Sequence, residues 1–342
     1  MAEQAISDSF AEAQNLVRAL YEGILRRAPD EAGLAQWAAA LVNGQTPSEI
    51  ARTFIESEEF RRRTPGALFV PPGHFYSPIV DPNEAERALV AIERAAVPDS
   101  IPGIAIDRAE MVATWHSLLP FITRSAFPRA PTKGFRYAYE NPSYSWGDGA
   151  MLQAMIRRYR PKRIIEVGSG WSSACIIDTA EQYLAEPCSL TFIDPHQDLL
   201  RGLVGDAVSG VRCFECGVQD VPLDIFQELG RNDILFIDST HVLRTGSDVC
   251  FELFDVLPRL ASGVVVHIHD IFWPFEYPRS WAIDENRSWN EIYAVRAFLT
   301  DNKNWDIVMF NDYLAKLERV TIEATWSPFL ENSGGALWLR RR

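Results

Sequence analysis

RIIEVGSG, Arg163 to Gly170, decides the fold of this chain. An apolar run ends in an acidic residue, Glu166, followed by two glycines one residue apart, Gly168 and Gly170. WSSACIIDTA comes next and reads as a helix. A strand, a tight glycine turn and a helix start, in that order, bring backbone N–H groups up to a nucleotide-like ligand. A second strand, SLTFIDP, ends in Asp194, where a carboxylate can hold a pair of ribose hydroxyls.

Glycine spacing narrows the ligand. A dinucleotide fingerprint reads G-x-G-x-x-G, and Ser173 stands where the third glycine would be. Without that glycine the helix crowds the strand, which disfavours a pyrophosphate-cradling turn. Glu166, two places before the first glycine, suits a ligand with a cationic amino-acid end instead.

Outward from this segment, strands and helices alternate. RIIEV, LTFID, VRCFECG, DILFID, GVVVHIHD, WDIVMF and ALWLRR read as strands, with helical stretches such as GAMLQAMIRRY, WSSACIIDTAEQYL and WNEIYAVRAFL between them. The pattern predicts an α/β fold: a Rossmann-like, doubly wound, mostly parallel seven-stranded sheet, preceded by a small all-α domain. Such sheets bind ligands at the carboxyl ends of their strands. The domain boundaries fall at 1–64 for the helical unit, 65–135 for a connector with cap helices, and 136–342 for the α/β domain.

The helical unit shows its own punctuation. NLVRALYEGILRRAP places Leu16, Leu20 and Ile24 at helical spacing and stops at Pro29. Asp30 caps DEAGLAQWAAALVNG, which ends at Gly44, and Thr46 or Ser48 caps PSEIARTFIESEEF. Together these segments resemble a small bacterial domain of unknown function found on surface-associated and glycan-related proteins, which points to docking or assembly. In the stretch Phe127 to Glu140, across the end of the connector, Arg136, Tyr137 and Tyr139 are candidates to cover the ligand cleft.

Composition sets limits. The 342 residues are 47% hydrophobic, enough for a sizeable core, and no run approaches the roughly 18 apolar residues that span a bilayer. The net charge of −13 opposes phosphate binding, so nucleic acid is not an expected partner. MAEQAISDSF has neither a basic start nor an apolar stretch, which leads to the expectation of a cytoplasmic protein. The five cysteines do not suggest a disulfide framework, and Cys213 and Cys216 form a CxxC with no second pair.

YSWGDGAML, IIEVGSGWSS, FIDPH, ILFIDSTHVLRTGSDV, HIHDIFWPFEYP and RSWNEIY follow one another between Tyr144 and Leu314. In that order they resemble a class I S-adenosylmethionine-dependent methyltransferase. The resemblance implies S-adenosylmethionine as the cofactor, with Glu166, Gly168, Ser169, Gly170, Ser172 and Asp194 as its binding residues.

Two strand ends gather ionisable residues. The fourth strand ends in Asp238, with His241 three residues on, and the fifth ends in His267, His269 and Asp270. These strands are neighbours in the methyltransferase topology, about 5 Å apart. Two carboxylates with an imidazole or water can hold a divalent cation such as Mg²⁺ or Mn²⁺. D-x-x-H followed by an acidic pair after the next strand resembles metal-dependent sugar and macrolide-sugar O-methyltransferases. That likeness implies Asp238, His269 and Asp270 as metal ligands, His241 as the catalytic base and Asp238 at the reacting centre. His269 departs from it, since those enzymes tend to carry a carboxylate or amide there, and an imidazole favours Mn²⁺, Fe²⁺ or Zn²⁺. His267 lies on the same strand face as His269 and reads as a core histidine.

IFWPFEYPRSWAIDENRSWNEIY, rich in aromatics, either stacks on a sugar acceptor or packs a lid and a second subunit, so a homo-oligomer stays open. Arg279, Arg287 and Glu291 are candidates for acceptor hydroxyls, and Glu276 for a further ligand. The expected function is O-methylation of a sugar or glycan precursor, a small-molecule or glycan acceptor. The alternative is a catalytically silent Rossmann-fold binding or scaffold protein in polysaccharide assembly. A nicotinamide enzyme is disfavoured by the missing third glycine.

Overall fold

The computed structural model describes residues 2–63, 69–205 and 210–342, with the side chains of residues 2–9 and 61–63 left aside. It divides into two compact units, Met1–Ala85 and Glu86–Arg342, so the expected connector 65–135 straddles the division.

The smaller unit is helical throughout its regular parts, with helices Ala2–Leu20, Glu31–Val42, Pro47–Glu56 and Glu58–Arg63. Asp30 caps the second by accepting from the Gly33 N–H at 2.8 Å, and Thr46 and Glu49 form a reciprocal capping box on the third. The buried stripe of the first helix differs from the expected Leu16–Leu20–Ile24. Val17 and Tyr21 are buried instead, and Leu16 is exposed. Tyr21 sets this register: its ring packs edge-on against Phe54 at 4.7 Å, and its hydroxyl occupies the space a Cβ on Gly33 would need. A π turn at Tyr21–Leu25, wider than an α turn, then carries Leu25 into the same core.

The larger unit carries a seven-stranded sheet. Its strands are β1 (Arg163–Val167), β2 (Ser189–Ile193), β3 (Val211–Phe214), β4 (Ile234–Ile237), β5 (Val265–Ile268), β6 (Trp305–Phe310) and β7 (Leu337–Arg341). They lie in the order β3-β2-β1-β4-β5-β7-β6, the first five parallel and β7 antiparallel to both its neighbours. The doubly wound, mostly parallel sheet expected from sequence is the one observed. All of β4 and β5 is buried, as in sheets covered by helices on both faces.

The chain runs outward from β1 through β2 to β3, then returns to lay β4 on the other side of β1. A crevice opens at such a reversal, beyond the carboxyl ends of β1 and β4. Helix Trp146–Tyr159 precedes β1 and begins three residues before the expected Gly149. Helices Asn311–Leu317 and Arg319–Trp326, between β6 and β7, were not expected from sequence.

Candidate active site

Gly168 turns the chain at the end of β1. Its φ is +80°, and a Cβ there would stand 1.8 Å from the carbonyl oxygen of Asp238 at the end of β4. Only glycine fits both conditions. Next to it, the Ser169 N–H donates to Asp194 Oδ2 at 2.7 Å, and His196 N–H donates to Asp194 Oδ1 at 2.6 Å. The loops after β1 and β2 are thus pinned through one carboxylate. Gly168 and Asp194 line a cavity of about 370 Å³, together with Ser239 and Thr240 beyond β4.

Glu166 and Ser172 are buried behind this cavity and do not line it. The Ser173 hydroxyl donates to one Glu166 oxygen and accepts from the Gly170 N–H, while the other Glu166 oxygen has no partner. Burial pushes the Glu166 carboxyl up to about 8, although the nearby Ser172 and Ser173 hydroxyls act to lower it. Glu166 therefore braces the glycine turn from beneath, through Ser173.

Four consecutive residues after β4 are each tied to a different partner. The Asp238 N–H donates to the Val167 carbonyl at 2.9 Å. Ser239 Oγ donates to Glu252 at 2.9 Å, and Thr240 Oγ1 to Asp248 at 2.6 Å. His241 Nδ1 lies 2.8 Å from Glu291 Oε2, at the start of helix Glu291–Leu299. The His241 carbonyl also accepts the N–H groups of Asn290 and Glu291, each at 3.1 Å. This clamp holds His241 at φ +61°, a conformation that costs a non-glycine residue about 1 kcal/mol or more.

With Nδ1 so engaged, His241 Nε2 faces Asp238 Oδ1 and Asp270 Oδ2, each at 3.4 Å. Among the described residues, Asp238, His241 and Asp270 form a group whose ligand atoms converge within 4.8 Å. His269, expected in that set, stands one step out, with Nε2 3.4 Å from Asp270 Oδ1 and Nδ1 unpartnered. Burial would lower the His241 pKa, but the bonds to Asp238 and Glu291 outweigh it and hold the ring well above the usual histidine range. Burial likewise pushes Asp238 up, and the charge of His269 and the His241 hydrogen bond bring it below the usual carboxylate range. His241 Nε2 is thus turned to the two carboxylates of Asp238 and Asp270.

A second cavity, about 470 Å³, is lined by Asp148, Asp238, His269, Asp270, Trp281 and Arg287, among others. Asp238 belongs to both cavities and stands at their junction. A larger hollow of about 790 Å³ opens at the amino ends of β1 and β2, the wrong end of the sheet for this chemistry.

Residues 165–271 match the family described as a methyltransferase domain. The chain belongs to this methyltransferase family. Residues 4–64 match a domain of unknown function (DUF4214), in keeping with the resemblance of the helical unit. A curated relative, an uncharacterized protein of Archaeoglobus fulgidus, is 30% identical over 176 residues, half of this chain and 78% of its own length. Among solved structures, a SAH-bound methyltransferase from Podospora anserina is 15% identical with a TM-score of 0.36, over 80% of this chain and 99% of its own. An O-methyltransferase from Streptomyces achromogenes involved in tomaymycin synthesis, solved with SAM, is 11% identical with a TM-score of 0.35, over 70% and 91%. At those TM-scores the structural likenesses add nothing to the topology described above.

The methyltransferase carries site residues that sequence reasoning passed over. Asp148 is the foremost. It is 2% exposed, its Oδ1 has no partner, and burial pushes its carboxyl up to about 7. Both flanking glycines pack tightly: a Cβ on Gly147 would meet the Ser333 carbonyl at 2.3 Å, and one on Gly149 the Tyr137 hydroxyl at 1.7 Å. An acid between two glycines at a helix start, WGDG, was the available signal. Glu252 is the other, a buried acid behind the β4 loop whose desolvation raises its pKa.

Several expected roles fall away. Glu291 is buried and holds His241, so it does not meet acceptor hydroxyls. Arg279 pairs with Glu86, and Glu276 accepts from the Tyr293 hydroxyl. Tyr137 and Tyr139 are core residues, and Arg136 pairs with Asp178 and Glu181 on helix Trp171–Tyr183, so none of the three covers the cleft. Arg287 lines the second cavity, its guanidinium stacked 4.0 Å from the Trp281 ring and 4.5 Å from Trp289. His267 is a core residue, stacked on Phe236 at 4.1 Å and kept neutral by desolvation.

Proposed function

We propose that the protein transfers a methyl group from S-adenosylmethionine to a hydroxyl of a sugar or glycan precursor, with help from a divalent cation. The observation that carries this reading is the shared wall at Asp238: one cavity runs from it along the glycine turn, the other toward the aromatic segment after β5. Gly168 supplies the turn that walls the cavity, where a Cβ would strike the Asp238 carbonyl, and Asp194 supplies carboxylate oxygens where ribose hydroxyls would lie. Both volumes suit small-molecule sites.

When bound, the cofactor would bring an electrophilic methyl group on a sulfonium, and a cation such as Mg²⁺ or Mn²⁺ would lower the pKa of the acceptor hydroxyl. The residues do the rest. Asp238 and Asp270 direct their carboxylates to the junction of the cavities, where a cation and an acceptor oxygen would meet. Trp281 and Phe272 offer apolar faces to a sugar ring, with Arg287 beside them. The acceptor's proton goes to Asp148, whose free oxygen belongs to a residue on the acceptor wall and whose pKa lies near neutrality. His241 is not given that task, since its Nε2 is turned to Asp238 and Asp270.

No helix among the described residues is long and apolar enough to cross a membrane. The test is a transfer assay with adenosylmethionine and a panel of glycosides, nucleotide sugars, catechols and amines, with and without Mg²⁺ or Mn²⁺. Adenosylhomocysteine release with sugars and cation is the expected result. Transfer only to amines or catechols would sink the sugar reading, and metal-independent turnover would sink the metal's role.

A further inference from the structure

The geometry points to His241 as a metal ligand, in a centre made of Asp238, His241 and Asp270, with Glu291 as the residue that positions the ring. This rests on the metal-assisted reading above and changes its ligand set, putting His241 in the place first given to His269.

Direction decides between the two histidines. Glu291 Oε2, an acceptor when ionised, lies 2.8 Å from His241 Nδ1 and so selects the tautomer with its proton on Nδ1. The lone pair of the neutral ring is then on Nε2, which faces Asp238 Oδ1 and Asp270 Oδ2 at 3.4 Å each. Ligand atoms bound at about 2.1 Å to one first-row cation stand about 3 to 3.4 Å apart; Nε2 is already at that spacing from both carboxylate oxygens, and all three residues offer ligand atoms within 4.8 Å of one another. A carboxylate that fixes the far nitrogen of a ligating histidine is a recurring outer-shell arrangement.

The protein holds this ring more firmly than a surface histidine would require. The His241 backbone is left-handed, its carbonyl receives two N–H groups from the start of helix Glu291–Leu299, and Trp289 packs 4.4 Å from the ring. Asn290 adds a side-chain bond to the Leu243 N–H at 2.6 Å. His269 has no such orientation: its Nε2 meets only Asp270, and no group fixes its Nδ1. A second observation marks the place as a ligand site. The cavity that Asp238 and Asp270 line also has Asp148 on its wall, a buried carboxyl with a free oxygen. One imidazole with two carboxylates favours Mn²⁺, Fe²⁺ or Zn²⁺ over Mg²⁺.

The test is calorimetric titration of the metal-stripped full chain with Mn²⁺ and Zn²⁺, Mg²⁺ serving as comparison. Wild type, His241→Asn, His269→Asn, Glu291→Gln and Glu291→Asp are compared after thermal melts confirm that each is folded. His241→Asn is expected to weaken Mn²⁺ binding more than 100-fold, and His269→Asn less than about fivefold. Glu291→Gln, whose amide can donate to Nδ1 and release the tautomer, is expected to weaken it 10- to 100-fold. Glu291→Asp should recover part of that loss, which a purely structural role would not produce. Loss of metal in His269→Asn with retention in His241→Asn would overturn the inference, as would a wild type that binds no metal. Adenosylmethionine is titrated into the same samples: its binding without metal binding overturns this centre alone, and the absence of both removes the transferase reading as well.

Discussion

At the scale of single residues, the turn at Gly168 has no tolerance. Gly168→Ala would force a Cβ to 1.8 Å from the Asp238 carbonyl oxygen at a φ of +80°. The expected cost is about 2 kcal/mol or more of stability, with at least a tenfold loss of adenosylmethionine affinity, read by melting and calorimetry. Glu166 beneath the turn gives a pH dependence. Its folded pKa, about 8, lies above that of an unfolded glutamate, so the folded state binds a proton more tightly. Its contribution is therefore full below the ordinary glutamate pKa and is lost as pH rises through about 8. Asp148, raised to about 7 by burial, acts in the same direction. Glu166→Gln should flatten the fall of melting temperature between pH 5 and 9; an unchanged slope would show that Glu166 is not the group responsible. In an assay with a working acceptor, Asp148→Asn should lower kcat by 100-fold or more while leaving adenosylmethionine affinity within about twofold, as general-base loss does. A change confined to KM would make Asp148 a binding residue instead.

At the scale of elements, the seven strands were legible because each is a short run bounded by turn residues, whereas their order in the sheet is supplied by the structure. Helices Asn311–Leu317 and Arg319–Trp326 were not, since Asn311 follows β6 with no intervening loop and no glycine or proline to mark a change of period. The helical stretch after β4 begins at Asp248 and breaks into α, π and 3-10 turns before Leu260, with Pro258 in its last part. Site residues at strand ends, Asp238 and Asp270, could be found because a strand end is visible in sequence. The partner of His241 could not: Glu291 lies 50 residues away, and no local pattern joins them. Asp148 was hidden for a related reason, since its role depends on contacts with the distant Gly334–Gly335 turn. The segment after β5 carries its own test. Trp281 packs edge-on against Phe272 and Trp289, with Arg287 over its face. Trp281→Ala should speed hydrogen exchange across residues 278–290 while leaving adenosylmethionine binding unchanged. Exchange as slow as in wild type would mean the segment is held by other contacts.

At the scale of the whole molecule, every residue assigned here to cofactor, metal or acceptor lies in the unit Glu86–Arg342, and the helical unit has a separate core around Val17, Tyr21 and Phe54. A chain shortened to residues 86–342 should therefore fold and bind adenosylmethionine within about twofold of the full protein; loss of binding would give the helical unit a part in the site. The central claim concerns Asp238, where a cofactor cavity meets an acceptor cavity. The most direct measurement is calorimetric titration of the metal-stripped full chain with S-adenosylmethionine, repeated with Mn²⁺ present, with NAD as the control and Asp238→Ala as the variant. The expected result is binding of adenosylmethionine but not NAD, and a separate heat of Mn²⁺ binding that vanishes in Asp238→Ala. No adenosylmethionine binding under any condition would contradict the transferase and leave a silent Rossmann-fold binding protein in its place.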